Sequence, residues 1–310
     1  MHAWHAKRMC VSPCKLLSLT QRPQKFTKFK MIFWFRFFSR WPLWALHAIG
    51  QVAGWLAWLF SKTYRQRFLA NAKTAGLDFS QVMGAVGQAG SMSSELPRLW
   101  MGKSPAVVWA EGSFQCVESA YAAGQGVLFL TPHLGCFEVS AQALSVSFSD
   151  KYGPLTVLFR PSRKEGLGKV MEASRARPGL ETAPTTLAGV RQMIKALRAG
   201  RSVGLLPDQV PPQGMGQWTP FFGKPAYTMT LAARLALQTG SKLMVIWGER
   251  LAWGRGYRIH ASELEVPAAG DVDALVLQIN QAMERLILSR PDQYLWGYAR
   301  YKQPRQESIA

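Results

Sequence analysis

The segment Thr131-Pro132-His133-Leu134-Gly135-Cys136-Phe137-Glu138 sets a histidine and a glutamate five positions apart, directly after the apolar run Gly126-Val127-Leu128-Phe129-Leu130. The arrangement reads as a strand end carrying a general base. An imidazole beside a carboxylate takes a proton from a hydroxyl near neutral pH, because the carboxylate holds the ring's tautomer and stabilises the imidazolium. Acyl transfer is a reaction of this kind. On a continuous helix, residues five apart point about 140° away from each other. His133 and Glu138 can therefore face each other only if His133 ends the strand and Gly135 turns the chain into a helix starting near Glu138. By itself the pattern leaves a structural histidine open, and Cys136 as nucleophile is a lesser alternative.

Around this segment, short apolar runs alternate with amphipathic stretches. Strands are expected at Gly126–Leu130, Leu155–Phe159, Ser202–Leu206 and Leu243–Trp247, with an edge strand at Tyr257–His260. Helices are expected at Ser80–Trp100, Ser113–Ala123, Leu187–Leu197, Met229–Gln238 and Val272–Leu288. That alternation predicts an α/β fold, a mostly parallel sheet flanked by helices. Sites in such sheets lie beyond the carboxyl ends of the strands. His133, Arg160, the Pro207-Asp208-Gln209 run and Gly248-Glu249-Arg250 follow the four strands in turn. A guanidinium at Arg160 suits a phosphate or carboxylate, and Asp208 suits orienting a base or a backbone turn. The Pro- and Gly-rich stretch Val210–Ala226 reads as a long loop, either functional or structural, whose apolar members suit an acyl-chain groove or a bilayer.

The chain has 310 residues, 48% hydrophobic and 18% charged, enough for a full core and too apolar for disorder. Of its formal charge of +19, thirteen units come from Lys and Arg within residues 1–77, where no acidic residue occurs. A basic stretch binds nucleic acid or an anionic bilayer, and its neighbours decide which. Here they are apolar: Met31-Ile32-Phe33-Trp34-Phe35-Arg36-Phe37-Phe38, then Trp41 to Phe60 with His47 and Gln51 as the strongly polar members. Trp41, Trp44, Trp55 and Trp58 are expected on one helix face with Ala48 and Gln51, flanked by cations. Indoles and flanking cations favour a membrane interface, so residues 31–75 are expected to anchor the protein to an anionic membrane, spanning it or lying on it; nucleic acid is not expected. Residues 1–30 lack the apolar core of a secretory signal and are expected to be a disordered basic extension, leaving 76–310 as the catalytic domain. Four cysteines make no disulfide framework here, and His2, His5, Cys10 and Cys14 lack the tight pairing of a zinc site, so no metal is expected.

Five blocks in order resemble the bacterial lipid A biosynthesis acyltransferases, the lauroyl and myristoyl transferase group of the glycerolipid acyltransferase-like superfamily. They are Thr131–Glu138, Leu158-Phe159-Arg160-Pro161, Gly204-Leu205-Leu206-Pro207-Asp208-Gln209, Phe221–Thr228 and Pro291–Lys302. The resemblance implies a protein of the cytoplasmic face of the bacterial inner membrane that takes an acyl group from a thioester of acyl carrier protein or coenzyme A, with no cofactor. It implies His133 as general base, Glu138 as its orienting partner, Arg160 as a phosphate contact, and Asp208 and Gln209 as supports of the substrate site. The acceptor is expected to be a lipid A precursor. A lysophospholipid or other membrane lipid is the alternative substrate, and a lipid-binding scaffold without chemistry is the alternative outside enzymes.

Overall fold

Seven strands form the main sheet of a computed structural model that describes residues 32–159, 177–266 and 271–306. The strands are β1 (Val107–Trp109), β2 (Val127–Leu130), β3 (Leu155–Phe159), β4 (Leu180–Pro184), β5 (Ser202–Leu205), β6 (Gly216–Phe221), β7 (Lys224–Met229), β8 (Lys242–Arg250) and β9 (Tyr257–Leu264). The main sheet runs β1-β9-β8-β2-β5-β3-β4, and β6 and β7 pair with each other as a separate antiparallel ribbon. All main-sheet neighbours are parallel except β8 and β9. The helices are α1 (32–38), α2 (Leu43–Phe60), α3 (Lys62–Thr74), α4 (Phe79–Val82), α5 (Gly84–Ser94), α6 (Leu96–Met101), α7 (Ser113–Ala122), α8 (Phe137–Tyr152), α9 (Leu187–Arg198), α10 (Leu231–Thr239) and α11 (Val272–Ser289).

The expected α/β architecture follows from burial on both faces of the sheet. All four residues of β2 are buried, as a central parallel strand requires. Leu128 and Leu130 join Val203, Leu205, Leu243 and Val245 in a core closed by Met193 of α9, Leu235 of α10 and Ile279 of α11. Val127 and Phe129 point the other way, into a second core with Val117 of α7 and Leu144 and Phe148 of α8. The period of two along β2 thus feeds two separate layers.

Several boundaries differ from expectation for physical reasons. Tyr257 opens β9, which is not an edge strand: β1 covers it on one side, and β4 forms the opposite edge. Both edge strands are short or polar and lack an alternating signature. The Val210–Ala226 stretch is not a simple loop, because Gly216 to Met229 folds into the β6–β7 hairpin. Gly248, Glu249 and Arg250 lie inside β8 rather than after it. The stretch Ser80–Trp100 breaks into α4, α5 and α6, with Pro97 in the first turn of α6 where its missing N–H costs nothing.

Trp44, Trp55 and Trp58 share one stripe of α2, within about 60° of one another around the helix, and Trp41 precedes it; the surroundings of that stripe are uneven. Trp44 is exposed, whereas Trp58 is buried against Phe68 and stacks on Phe79. The buried side of α2 is Leu43, Leu46, His47, Gly50, Gly54 and Trp58. It meets α5 backbone to backbone: a Cβ on Gly90 would lie 1.8 Å from the Gly50 carbonyl oxygen, and one on Gly54 2.2 Å from that of Val86. The other side leaves Trp44, Val52, Leu56, Leu59 and Phe60 exposed. By length and composition α2 is the one helix among the described residues apolar enough to cross a membrane, although a third of it is buried in the protein.

Candidate active site

Parallel pairing of β2 with β5 puts Leu130 opposite Leu205, and both strands then run three residues further to His133 and Asp208. The equal offset delivers the two side chains to the same point beyond the sheet. The Nδ1 of His133 lies 2.7 Å from Oδ1 of Asp208, and the His133 backbone N–H donates to Oδ2 at 2.8 Å. One carboxylate therefore fixes both the ring and the turn that bears it, the two roles open to Asp208 from sequence. The other ring nitrogen, Nε2, lies 3.0 Å from Nε2 of Gln209. An amide N–H donating to Nε2 requires that nitrogen to be unprotonated, so the ring carries its proton on Nδ1, toward Asp208. Burial pushes the Asp208 carboxyl up, but the His133 ring and backbone N–H and the Arg300 guanidinium outweigh burial and hold it below the usual range. Asp208 stays ionised and ready to stabilise an imidazolium.

The partner expected from spacing was Glu138, and here the structure differs. Both nitrogens of His133 are engaged by Asp208 and Gln209, while Glu138 sits in the first turn of α8, with Oε2 3.5 Å from Nε1 of Trp100. A carboxylate in the first turn favours the helix dipole. Arg177 stands close enough for Glu138 to offset part of the effect of burial, which lowers the Arg177 pKa, and Arg177 donates to the Leu99 carbonyl. Glu138, Trp100 and Arg177 share the wall of a cavity of about 80 Å³ whose floor is apolar: Phe129, Leu144, Leu155, Val157, Leu205 and Ile246. This cavity lies between α8 and the sheet, beside the strand ends that carry His133 and Asp208. Arg160 falls outside the described residues, as do His2, His5, Cys10 and Cys14. Among the described residues no cluster of three His, Cys, Asp or Glu side chains could hold a metal.

The loop bearing His133 is clamped from behind by a buried ionic cluster that the sequence reading did not find. Arg250 donates from Nε and Nη2 to the two oxygens of Glu95, at 2.9 and 2.6 Å, and from Nη1 to Gln88 at 2.7 Å. Its Nη2 also reaches the Gly135 carbonyl, at 3.0 Å. His47 of α2 and Tyr257 of β9 complete the cluster on Oε2 of Glu95, at 2.9 and 2.7 Å. Gln293 links the Arg250 backbone to Gly135 through its side chain and carbonyl. Burial would raise the Glu95 pKa, but Arg250 and His47 bring it down to about 2. The same environment pushes the Cys136 thiol well up, by burial first and then by Glu95, so its thiolate is disfavoured. Gly135 is in the left-handed region, φ 56°, and a Cβ there would lie 2.1 Å from the Gly248 carbonyl oxygen. Glu95 and Arg250 lie 155 positions apart, so no local spacing announces them.

On the far side, Arg300 donates to the Tyr227 carbonyl and to Thr228 Oγ1, and lies over the Phe221 ring. It thereby ties two of the sequence blocks, Phe221–Thr228 and Pro291–Lys302, into one support beneath Asp208.

Comparison with known proteins adds a family to this geometry. The model of the bacterial lipid A biosynthesis acyltransferases matches residues 91–303, a stretch that includes Glu95, His133, Glu138, Asp208, Gln209 and Arg250. The chain is similar to the lipid A biosynthesis lauroyltransferase of Escherichia coli (strain K12), with 30% identity over 115 residues, or 36% of this chain and 38% of the relative. It is also similar to the lipid A biosynthesis palmitoleoyltransferase of the same organism, with 22% identity over 187 residues, 60% and 59% of the two chains. A lipid A biosynthesis acyltransferase of Shigella flexneri matches at the same identity and coverage. The aligned stretches thus span 38% to 59% of the length of these relatives.

Proposed function

Because the chain belongs to the bacterial lipid A biosynthesis acyltransferase family, we propose that it transfers a fatty acyl group from an acyl thioester to a hydroxyl of a lipid A precursor. The observation that carries the reading is the His133–Asp208 pair at 2.7 Å, set beside an apolar cavity at the strand ends. The acceptor hydroxyl displaces the Gln209 amide from Nε2 and gives its proton to that nitrogen as its oxygen attacks the thioester carbonyl. Asp208 stabilises the imidazolium that results. The tetrahedral oxyanion then collapses, the carbon–sulfur bond breaks, and the proton on Nε2 passes to the departing thiolate. The His133–Asp208 pair is re-formed, and no redox or metal step is required by the balance of the reaction. The acyl chain enters the cavity beneath α8, whose Phe129, Leu155 and Ile246 exclude water from the thioester. Glu138 and Arg177 at its rim orient the donor.

The thioester is that of acyl carrier protein or coenzyme A. The exposed apolar side of α2, between Arg36 and Arg40 on one end and Lys62 and Arg67 on the other, supports attachment to an anionic bilayer at the cytoplasmic face of the inner membrane. Mass spectrometry of lipid A and total lipids from cells with the protein, its His133→Ala variant, or neither tests the reading. One added acyl group on lipid A that vanishes in the variant is expected. A gain confined to phospholipids would move the acceptor to that class, and no gain with either chain would remove the acyl-transfer reading.

A further inference from the structure

Residues of α1, the turn after it, and α6 with the residues that follow border a second, open cleft. This cleft has a volume of about 550 Å³ and is lined by Arg36, Ser39, Arg40, Arg98, Gly102 and Lys103. Four of these side chains are cationic and none is acidic. Among the described residues no carboxylate pairs with Arg36, Arg40, Arg98 or Lys103. The cleft is built rather than incidental. Arg98 is held in its wall by a hydrogen bond from Nη1 to the Ser39 carbonyl at 3.2 Å, and Ser39 Oγ donates to the Arg36 carbonyl at 2.9 Å. A Cβ on Gly102 would lie 2.3 Å from the Ser39 oxygen and 2.8 Å from Cδ of Arg98, so any side chain there would push the walls apart.

Cations near the ends of α1 and α6 complement the helix dipoles, which accounts for one at each terminus. It does not account for four around one cleft, an arrangement whose summed positive potential attracts an anion. Three guanidinium forks and an ammonium match the oxygens of a phosphate monoester. The surroundings favour a phosphate borne by a lipid over one borne by a soluble partner: Phe33, Trp34 and Phe37 of α1 are 58%, 52% and 43% exposed at the same edge. Trp100, on the same short helix as Arg98, lines the cavity that holds Glu138 and Arg177. Residues of α6 thus line both cavities, Trp100 the first and Arg98 the second.

We propose that the Arg36–Arg40–Arg98–Lys103 cleft binds a phosphate monoester of a membrane lipid, and that this lipid is the acceptor. Only the second clause rests on the acyl-transfer reading. The intact protein is sedimented with phosphatidylcholine vesicles containing either phosphatidic acid or phosphatidylserine, matched in surface charge. The wild type is expected to prefer phosphatidic acid, a monoester, on the order of tenfold. Arg40→Gln/Lys103→Gln, which removes no hydrogen bond among the described residues, and Arg36→Gln/Arg98→Gln are both expected to abolish the preference while still binding phosphatidylserine vesicles. In turnover assays both are expected to raise KM for a phosphorylated acceptor more than for its dephosphorylated form. No preference in the wild type, or a preference that survives in both variants, would overturn the site. Binding of inorganic phosphate to the intact protein, lost in both variants, together with no preference among vesicles, would assign the cleft to free phosphate. A rise in KM for the acyl carrier protein thioester alone would assign it to the donor's carrier; both results overturn the lipid assignment. Absence of acyl product with every chain would sink the acyl-transfer reading without touching the vesicle result.

Discussion

At the scale of single residues, the proposed chemistry rests on which carboxylate holds the imidazole. Asp208 contacts both the ring and the backbone of His133, so Asp208→Asn should leave the side chain in place but favour the wrong tautomer. A loss in kcat on the order of 10⁴ with little change in KM is expected from steady-state kinetics. If Asp208→Asn stayed near wild-type kcat while Glu138→Gln was inactive, ring orientation would return to Glu138. The depressed pKa of Asp208 also has a sign. The group is ionised above the ordinary aspartate value of 3.8, and its hold on the His133 turn is lost only as pH falls through a folded value lower still. An acid limb in the rate above about pH 5 therefore cannot come from Asp208. His133 was legible from sequence because its motif is local. Asp208 was visible as a suspicious residue after a strand, but its bond to His133 depends on β2 pairing with β5 in a register that no local pattern reveals.

Elements, in turn, are held in place by groups that do no chemistry. The Glu95–Arg250 pair connects α2, α5, β8 and β9 to the carbonyl of Gly135, two residues from His133. Removing one partner of such a buried pair leaves a charge uncompensated, so Glu95→Gln should destabilise the protein by about 3–5 kcal/mol. Chemical denaturation at neutral pH measures it. Because folding lowers the Glu95 pKa from 4.5 to about 2, its contribution is complete above pH 4.5 and is lost as the pH falls toward 2. The wild type should lose thermal stability across that window, and Glu95→Gln should lose less there. Gly135→Ala meets both a left-handed backbone and the Gly248 carbonyl, and should abolish activity by displacing the turn, with loss of folded protein as its companion. Long apolar strands and amphipathic helices could be placed from sequence, since burial on two faces leaves a readable period. The edges β1 and β4 could not, because three residues such as Val107–Trp109 carry too short a pattern.

For the whole molecule, the decisive asymmetry is that α2 is half core and half surface. Replacing Leu56 and Phe60 with Glu changes only exposed positions, so the fold should survive. Co-sedimentation with anionic vesicles should fall, by roughly tenfold or more for two lost apolar anchors; unchanged binding would place the membrane contact elsewhere. Sequence revealed the apolar, cation-flanked character of this helix but not which side would be covered, because α5, which covers it, is Gly- and Ala-rich and has no strong period of its own. The interlock of Gly50, Gly54 and Gly90, with His47 seated on Glu95, bears on how this protein can be prepared. Deleting the first sixty residues to remove the proposed membrane contact would strip a wall from the interior and leave Glu95 short of a ligand. A form without the proposed membrane contact is better sought by repainting Trp44, Val52, Leu56, Leu59 and Phe60 with polar side chains, keeping the helix as the structural rib it already is.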